Sequence, residues 1–178
     1  VVIYTDGGAR GNPGPAGAGA VATENGETLF ELKKYLGDRQ TNNWAEYEAV
    51  ALALAKLVEL GLTDRSLEFR LDSKLVVEQL NGRWRVRDAK LAPLCDEARV
   101  RLDRFATWSA THVPREQNSQ ADALANEALD RALRGGPAWV VRRPDDAVRS
   151  KPVFLRNMTI PNELIADYFS KAMYASGP

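Results

Sequence analysis

Between Val1 and Leu36 the chain holds three strand-patterned segments in succession and no helical period, and this restricts the fold more than any other feature. Val1-Val2-Ile3-Tyr4-Thr5-Asp6 is β-branched and aromatic. Gly7, Gly8, Gly11, Pro13, Gly14 and Pro15 break it. Small and β-branched residues follow from Ala18 to Thr23. Asn25-Gly26 then marks a hairpin, because both residue types tolerate positive φ. Thr28 to Leu36 reads as the third strand. From Thr41 onward the texture changes. A long Ala-, Leu- and Glu-rich helix from Ala45 to Leu60 has Thr41 as a cap and Gly61 as a stop. A fourth strand spans Ser66 to Asp72, with helices over Lys74 to Leu80 and Lys90 to Arg104. A fifth strand runs from Ala106 to Pro114, and a last helix from Gln117 to Arg134. Three hairpin-linked strands followed by crossovers through helices predict an α/β fold. Its core is a five-stranded mixed sheet, three strands antiparallel and the rest parallel, flanked by helices.

Composition excludes several classes of function. With 24 basic and 24 acidic residues among 178, the net charge is zero, so a histone-like polycation is ruled out. A lone cysteine, Cys95, excludes an internal disulfide framework and a multi-cysteine zinc site. It fits a reducing, cytoplasmic setting. No apolar run approaches the roughly 20 residues of a membrane helix. The chain opens on Val1 rather than Met, which leaves its natural N-terminus open.

The chemistry is carried by acids at element ends. Asp6 closes the first strand and Asp72 the fourth, where open α/β sheets gather ligands. Glu46 shares a helical stripe with Val50, Ala53 and Leu57, so it faces the core. Asp122 shares a face with Ala125 and Leu129. Carboxylates on core-facing positions are costly unless something neutralises them. Four of them without a thiol or imidazole cluster suit a hard cation, Mg2+ or Mn2+. Two such ions about 4 Å apart serve phosphodiester cleavage. The competing reading, solvated acids, caps and salt bridges, fits any one of them singly.

The surrounding residues resemble the type 1 ribonuclease H family. Tyr4-Thr5-Asp6-Gly7-Gly8-Ala9-Arg10-Gly11-Asn12-Pro13-Gly14 is similar to its first motif and Thr41-Asn42-Asn43-Trp44-Ala45-Glu46-Tyr47 to its second. Asp72-Ser73-Lys74 is similar to the third, and Asn118-Ser119-Gln120-Ala121-Asp122-Ala123-Leu124-Ala125 to the fourth. The resemblance spans Val1 to Arg134. It implies the ribonuclease H fold, Asp6, Glu46, Asp72 and Asp122 as metal-binding acids, two Mg2+ ions with Mn2+ as substitute, and cleavage of RNA paired to DNA. The products would carry 5′-phosphate and 3′-hydroxyl ends. A non-catalytic hybrid-binding module and a DNA-processing nuclease of the same superfamily are the alternatives.

Further roles come with the resemblance. Many members carry a catalytic His in the loop before the last helix. Here the sole histidine, His112, falls within the fifth strand, where it reads as structural. Glu116 occupies the matching place and is expected to assist proton handling or product release. Asn12, Asn42 and Asn43 lie in motifs that contact 2′-hydroxyls. Lys74 stands where some relatives have an amide, and Arg39 with Thr41 matches a phosphate pocket. Arg83, Trp84, Arg85 and Arg87 interleave charge with an aromatic ring, as phosphate and stacking contacts require, with a solvated basic turn as the alternative. The longer Lys-rich protrusion of tight-binding members is missing, so weaker hybrid binding is expected. Residues 1–134 are expected to form the catalytic domain, and residues 135–178 a linker and helical extension of unknown role. In that extension Leu164, Ile165, Tyr168, Phe169 and Met173 form an apolar stripe expected to dock on the main domain or pair with another chain.

Overall fold

A computed structural model of the chain describes residues 1–135 and, as backbone, residues 139–142. The chain divides into two compact units, Val1–Arg142 and Arg143–Pro178, and every described residue belongs to the first. The expected apolar helix near Leu164 therefore lies outside the described residues.

All five expected strands are present: β1 (Val2–Ala9), β2 (Gly14–Glu24), β3 (Glu27–Gln40), β4 (Ser66–Leu71) and β5 (Thr107–His112). The helices are α1 (Asn42–Glu59), α2 (Lys74–Leu80), α3 (Ala92–Leu102) and α4 (Ser119–Leu133), the last preceded by a 3-10 turn over Arg115–Asn118. Asn25 and Gly26 both take positive φ, 52° and 79°, and make the β2–β3 hairpin turn. β1–β2 and β2–β3 pair antiparallel, while β1–β4 and β4–β5 pair parallel.

The sheet extends one strand beyond the expected five. A short β6 (Trp139–Arg142) pairs antiparallel with Glu31–Lys34 of β3, giving the order β5-β4-β1-β2-β3-β6. Four residues are too short a run to read as a strand. They form one because the outer edge of β3 offers unpaired backbone groups. The sheet thus continues past Arg134, the expected end of the catalytic domain, to Arg142.

Packing on the sheet explains why β2 is built of Gly and Ala. A Cβ placed on Gly19 would lie 2.3 Å from the carbonyl oxygen of Ala121, so α4 rests directly on the β2 backbone. On β1, a Cβ on Gly7 would lie 2.1 Å from the carbonyl oxygen of Ala45, so the start of α1 sits equally close. Side chains at either position would hold the helices off the sheet. Ile3, Phe30, Leu32, Tyr47, Leu54, Leu57, Phe69 and Leu71 fill the core. Among the described residues no helix is long and apolar enough to cross a membrane.

Candidate active site

Two parallel strands place the first pair of acids. Thr5 of β1 is the register partner of Leu71 of β4, so Asp6 and Asp72 stand side by side just where that parallel pairing ends; Asp6 does not close its strand as expected, because β1 runs on to Ala9 against β2. The close approach at Gly7 brings Glu46, in the first turns of α1, down to the same point. One carboxylate oxygen from each of Asp6, Glu46 and Asp72 lies within 4.8 Å of the others. Asp122 arrives on α4, whose start is tied to β1 by the buried Asn118, its Nδ2 donating to the Thr5 carbonyl at 2.9 Å. All four acids line one cleft of about 470 Å3.

The electrostatics of this cluster are unfavourable on their own. Asp6 is pushed up to about 7, first by burial, then by the charges of Asp72 and Asp122, with Arg115 opposing. Glu46 is raised well above the usual carboxylate range, again by burial first and then by Asp6 and Asp72. Its Oε2 is buried with no hydrogen-bond partner. An orphaned, buried carboxylate oxygen among other acids is what a hard cation neutralises, so the donor set fits Mg2+ or Mn2+.

Glu116 sits exposed on the 3-10 turn and is not among the cleft-lining residues, whereas its neighbour Arg115 is. Arg115 Nη2 lies 3.7 Å from Asp122 Oδ1, and four-fifths of its side chain is exposed. Nothing in the sequence distinguished it, because the 3-10 turn decides which of two adjacent exposed side chains lies along the cleft. His112 is exposed and its Nε2 lies 3.2 Å from the backbone carbonyl of Asp72.

The asparagines tie the glycine loop to α1. Asn42 Oδ1 accepts from the Ala9 amide at 2.8 Å, and the Asn42 amide donates to Asn12 Oδ1 at 3.1 Å. Asn42 and Asn43 line the cleft; Asn12 does not, and serves the loop. Thr41 Oγ1 caps α1 by accepting from the Trp44 amide at 3.2 Å. Arg39 is exposed near the end of β3. Ser73, Arg10 and Asn126 also line the cleft, and sequence reasoning assigned them no role. Asn126 was within reach, since it follows Asp122 by one helical turn.

The basic loop stands outside the cleft lining. Lys74 Nζ lies 5.9 Å from the centre of the Trp84 ring. Arg83 is committed to Glu78 through two hydrogen bonds of 2.6 and 2.9 Å. Arg85 and Arg87 are exposed and make no ion pair among the described residues, so they are the cations with donors to spare.

A mixed sheet in this order, helices on it, and four acids lining one cleft define a ribonuclease H-like fold. A family model described as "Reverse transcriptase-like" matches residues 4–128. A ribonuclease H of Polaromonas naphthalenivorans is 34% identical over 146 residues, which cover 75% of this chain and 89% of that protein. The chain belongs to the type 1 ribonuclease H family. The "bifunctional protein" Rv2228c of Mycobacterium tuberculosis is 44% identical over 140 residues, 78% of this chain but 38% of that protein's length. The solved N-terminal RNase H domain of Rv2228c superposes with a TM-score of 0.69, covering 75% of this chain and 96% of that one. LC11-RNase H1, isolated from compost and crystallised with an RNA/DNA hybrid, is 46% identical with a TM-score of 0.69, covering 74% of this chain and 98% of that one.

Proposed function

We propose that the chain is an endoribonuclease that hydrolyses the RNA strand of RNA–DNA hybrids, leaving 5′-phosphate and 3′-hydroxyl ends. The observation that carries this reading is the gathering of the Asp6, Glu46 and Asp72 carboxylates within 4.8 Å, with the buried Glu46 Oε2 left unpartnered. A binding module has no use for so unfavourable an arrangement. The likeness to LC11-RNase H1, which was crystallised with a hybrid, supports the substrate. When bound, two Mg2+ ions, or Mn2+ in their place, supply the Lewis-acid charge for attack by water and departure of the 3′-oxygen.

The residues of the chain do the rest. Asp6, Glu46, Asp72 and Asp122 would hold the ions in the cleft they line. Asn42 and Asn43 offer amides that donate to and accept from 2′-hydroxyls, which separates RNA from DNA. Arg115, beside Asp122, supplies a positive charge at the reacting centre, and Glu116, exposed next to it, assists proton handling or product release. Arg85 and Arg87 hold the DNA strand by its phosphates, and Trp84 stacks on a sugar or base. The catalytic unit comprises the described residues up to Arg142. Cleavage of an end-labelled hybrid with and without Mg2+, beside duplex DNA of the same sequence, tests the reading. Metal-dependent cleavage of the RNA strand alone is expected. Binding without cleavage would favour the hybrid-binding module, and cleavage of the DNA duplex the DNA-processing alternative.

A further inference from the structure

Arg10 lines the same cleft as the four acids, yet no role in the proposed reaction accounts for it. Its Nη2 lies 2.7 Å from Asp130 Oδ1, and each side chain is nearly half exposed. A surface pair of this kind contributes about 1 kcal/mol at most. Nor does the loop need it for shape. The Arg10 amide already donates to the Pro15 carbonyl at 2.8 Å, the Ala9 amide to Asn42 at 2.8 Å, and the Asn42 amide to Asn12 at 3.1 Å. The guanidinium therefore rides on a fixed backbone and spends one donor on Asp130. Its other donors are open to an anion, and a guanidinium is always charged and matches a phosphate in a two-point contact.

Its place along α4 says which phosphate. Asp122, Asn126 and Asp130 succeed one another at four-residue intervals on one face of the helix. Asp122 and Asn126 line the cleft, and Asp130 holds Arg10. Eight residues of helix span about 12 Å. Arg10 thus serves a linkage other than the one over the acids. Arg115 is the cleft's other cation, and it is already placed beside Asp122.

We propose that Arg10, with Asn126, forms a phosphate subsite for the RNA strand at a linkage neighbouring the one cut, and that Asp130 holds the guanidinium in place until that phosphate displaces it. The subsite rests on the hybrid-cleaving function proposed above. The test uses the full chain and hybrids in which single RNA-strand linkages are neutral methylphosphonates. Arg10→Ala is expected to weaken hybrid binding several-fold and to lower the log–log salt slope by about 0.7 to 0.9, the contribution of one phosphate. Arg10→Lys should restore most of that slope. One neutral linkage should weaken the parent but not Arg10→Ala. Asp130→Asn should tighten binding in the parent and have little effect in the Arg10→Ala background, whereas a merely structural bridge would make the two single variants alike. Equal salt slopes for the parent and Arg10→Ala, with the parent cleaving hybrids in Mg2+, would overturn the subsite alone. A parent that neither binds nor cleaves hybrids would overturn the function and the subsite together.

Discussion

Gly19 of β2 and Ala121 of α4 meet so closely that a methyl group on the glycine would stand 2.3 Å from the alanine's carbonyl oxygen. Gly19 is also the register partner of Asp6 across the β1–β2 ladder. One contact therefore fixes the height of α4 above the sheet and the distance of Asp122, one residue further on, from Asp6. Gly19→Ala should displace α4 and cost at least about 2 kcal/mol, at the upper end for overpacking because the obstacle is backbone. Urea unfolding should show a lowered midpoint, and any folded fraction should bind Mg2+ more weakly than the parent.

Asp72→Asn should reduce Mg2+-dependent cleavage to background while hybrid binding survives. The change keeps the shape at the end of β4 and removes one of the charges the ions require. Without metal the variant should be more stable than the parent, since Asp72 raises both Asp6 and Glu46 by repulsion. Thermal melting in EDTA and a hybrid gel shift check the two halves. Near-normal turnover would remove Asp72 from the metal site.

Acid should stabilise the metal-free protein. Folded Asp6 keeps its proton up to about 7, against an ordinary 3.8. The folded state therefore binds the proton more tightly than the unfolded state does. Its contribution is fully present below the unfolded value, and it is lost as pH rises through about 7. Glu46 is shifted in the same direction. Melting temperature in EDTA should fall across this window. Saturating Mg2+ should flatten the profile or reverse it, because the ions bind the ionised acids. A metal-free profile that rises across the window would contradict the burial of this cluster.

Arg115→Ala should lower turnover by about 10²-fold, the scale for losing one preorganised charge at a reacting centre. Glu116→Gln should change it far less, because Glu116 is not part of the cleft lining. His112→Ala should lower the melting temperature more than the turnover, since its ring contacts backbone at Asp72. Single-turnover cleavage of a hybrid separates these effects from product release. A large loss with Glu116→Gln and none with Arg115→Ala would reverse the assignment.

The four acids were legible in the sequence because their positions follow from local rules. Asp72 follows the end of β4, Asp6 precedes the glycine loop at the head of β1, and Glu46 and Asp122 share helical faces with apolar residues, so period and punctuation bring them to one end of the sheet. The hairpin at Asn25-Gly26, the cap at Thr41 and the strand order of the first three segments are local in the same sense.

Other features depended on contacts between distant segments. β6 exists because β3 offers it an edge. Arg115 rather than Glu116 lies along the cleft because a 3-10 turn rotates adjacent side chains in a way no periodicity specifies. Asn12 serves the loop instead of the cleft because the Asn42 amide lies within reach of its side chain. The Gly and Ala residues of β2 look like weak strand formers until α4 is seen lying on them. Sequence by itself determined which residues carry charge and beside which elements they stand. The tertiary structure decided how close they stand and which are buried, because the direction of a side chain and its loss of solvent depend on neighbours far along the chain.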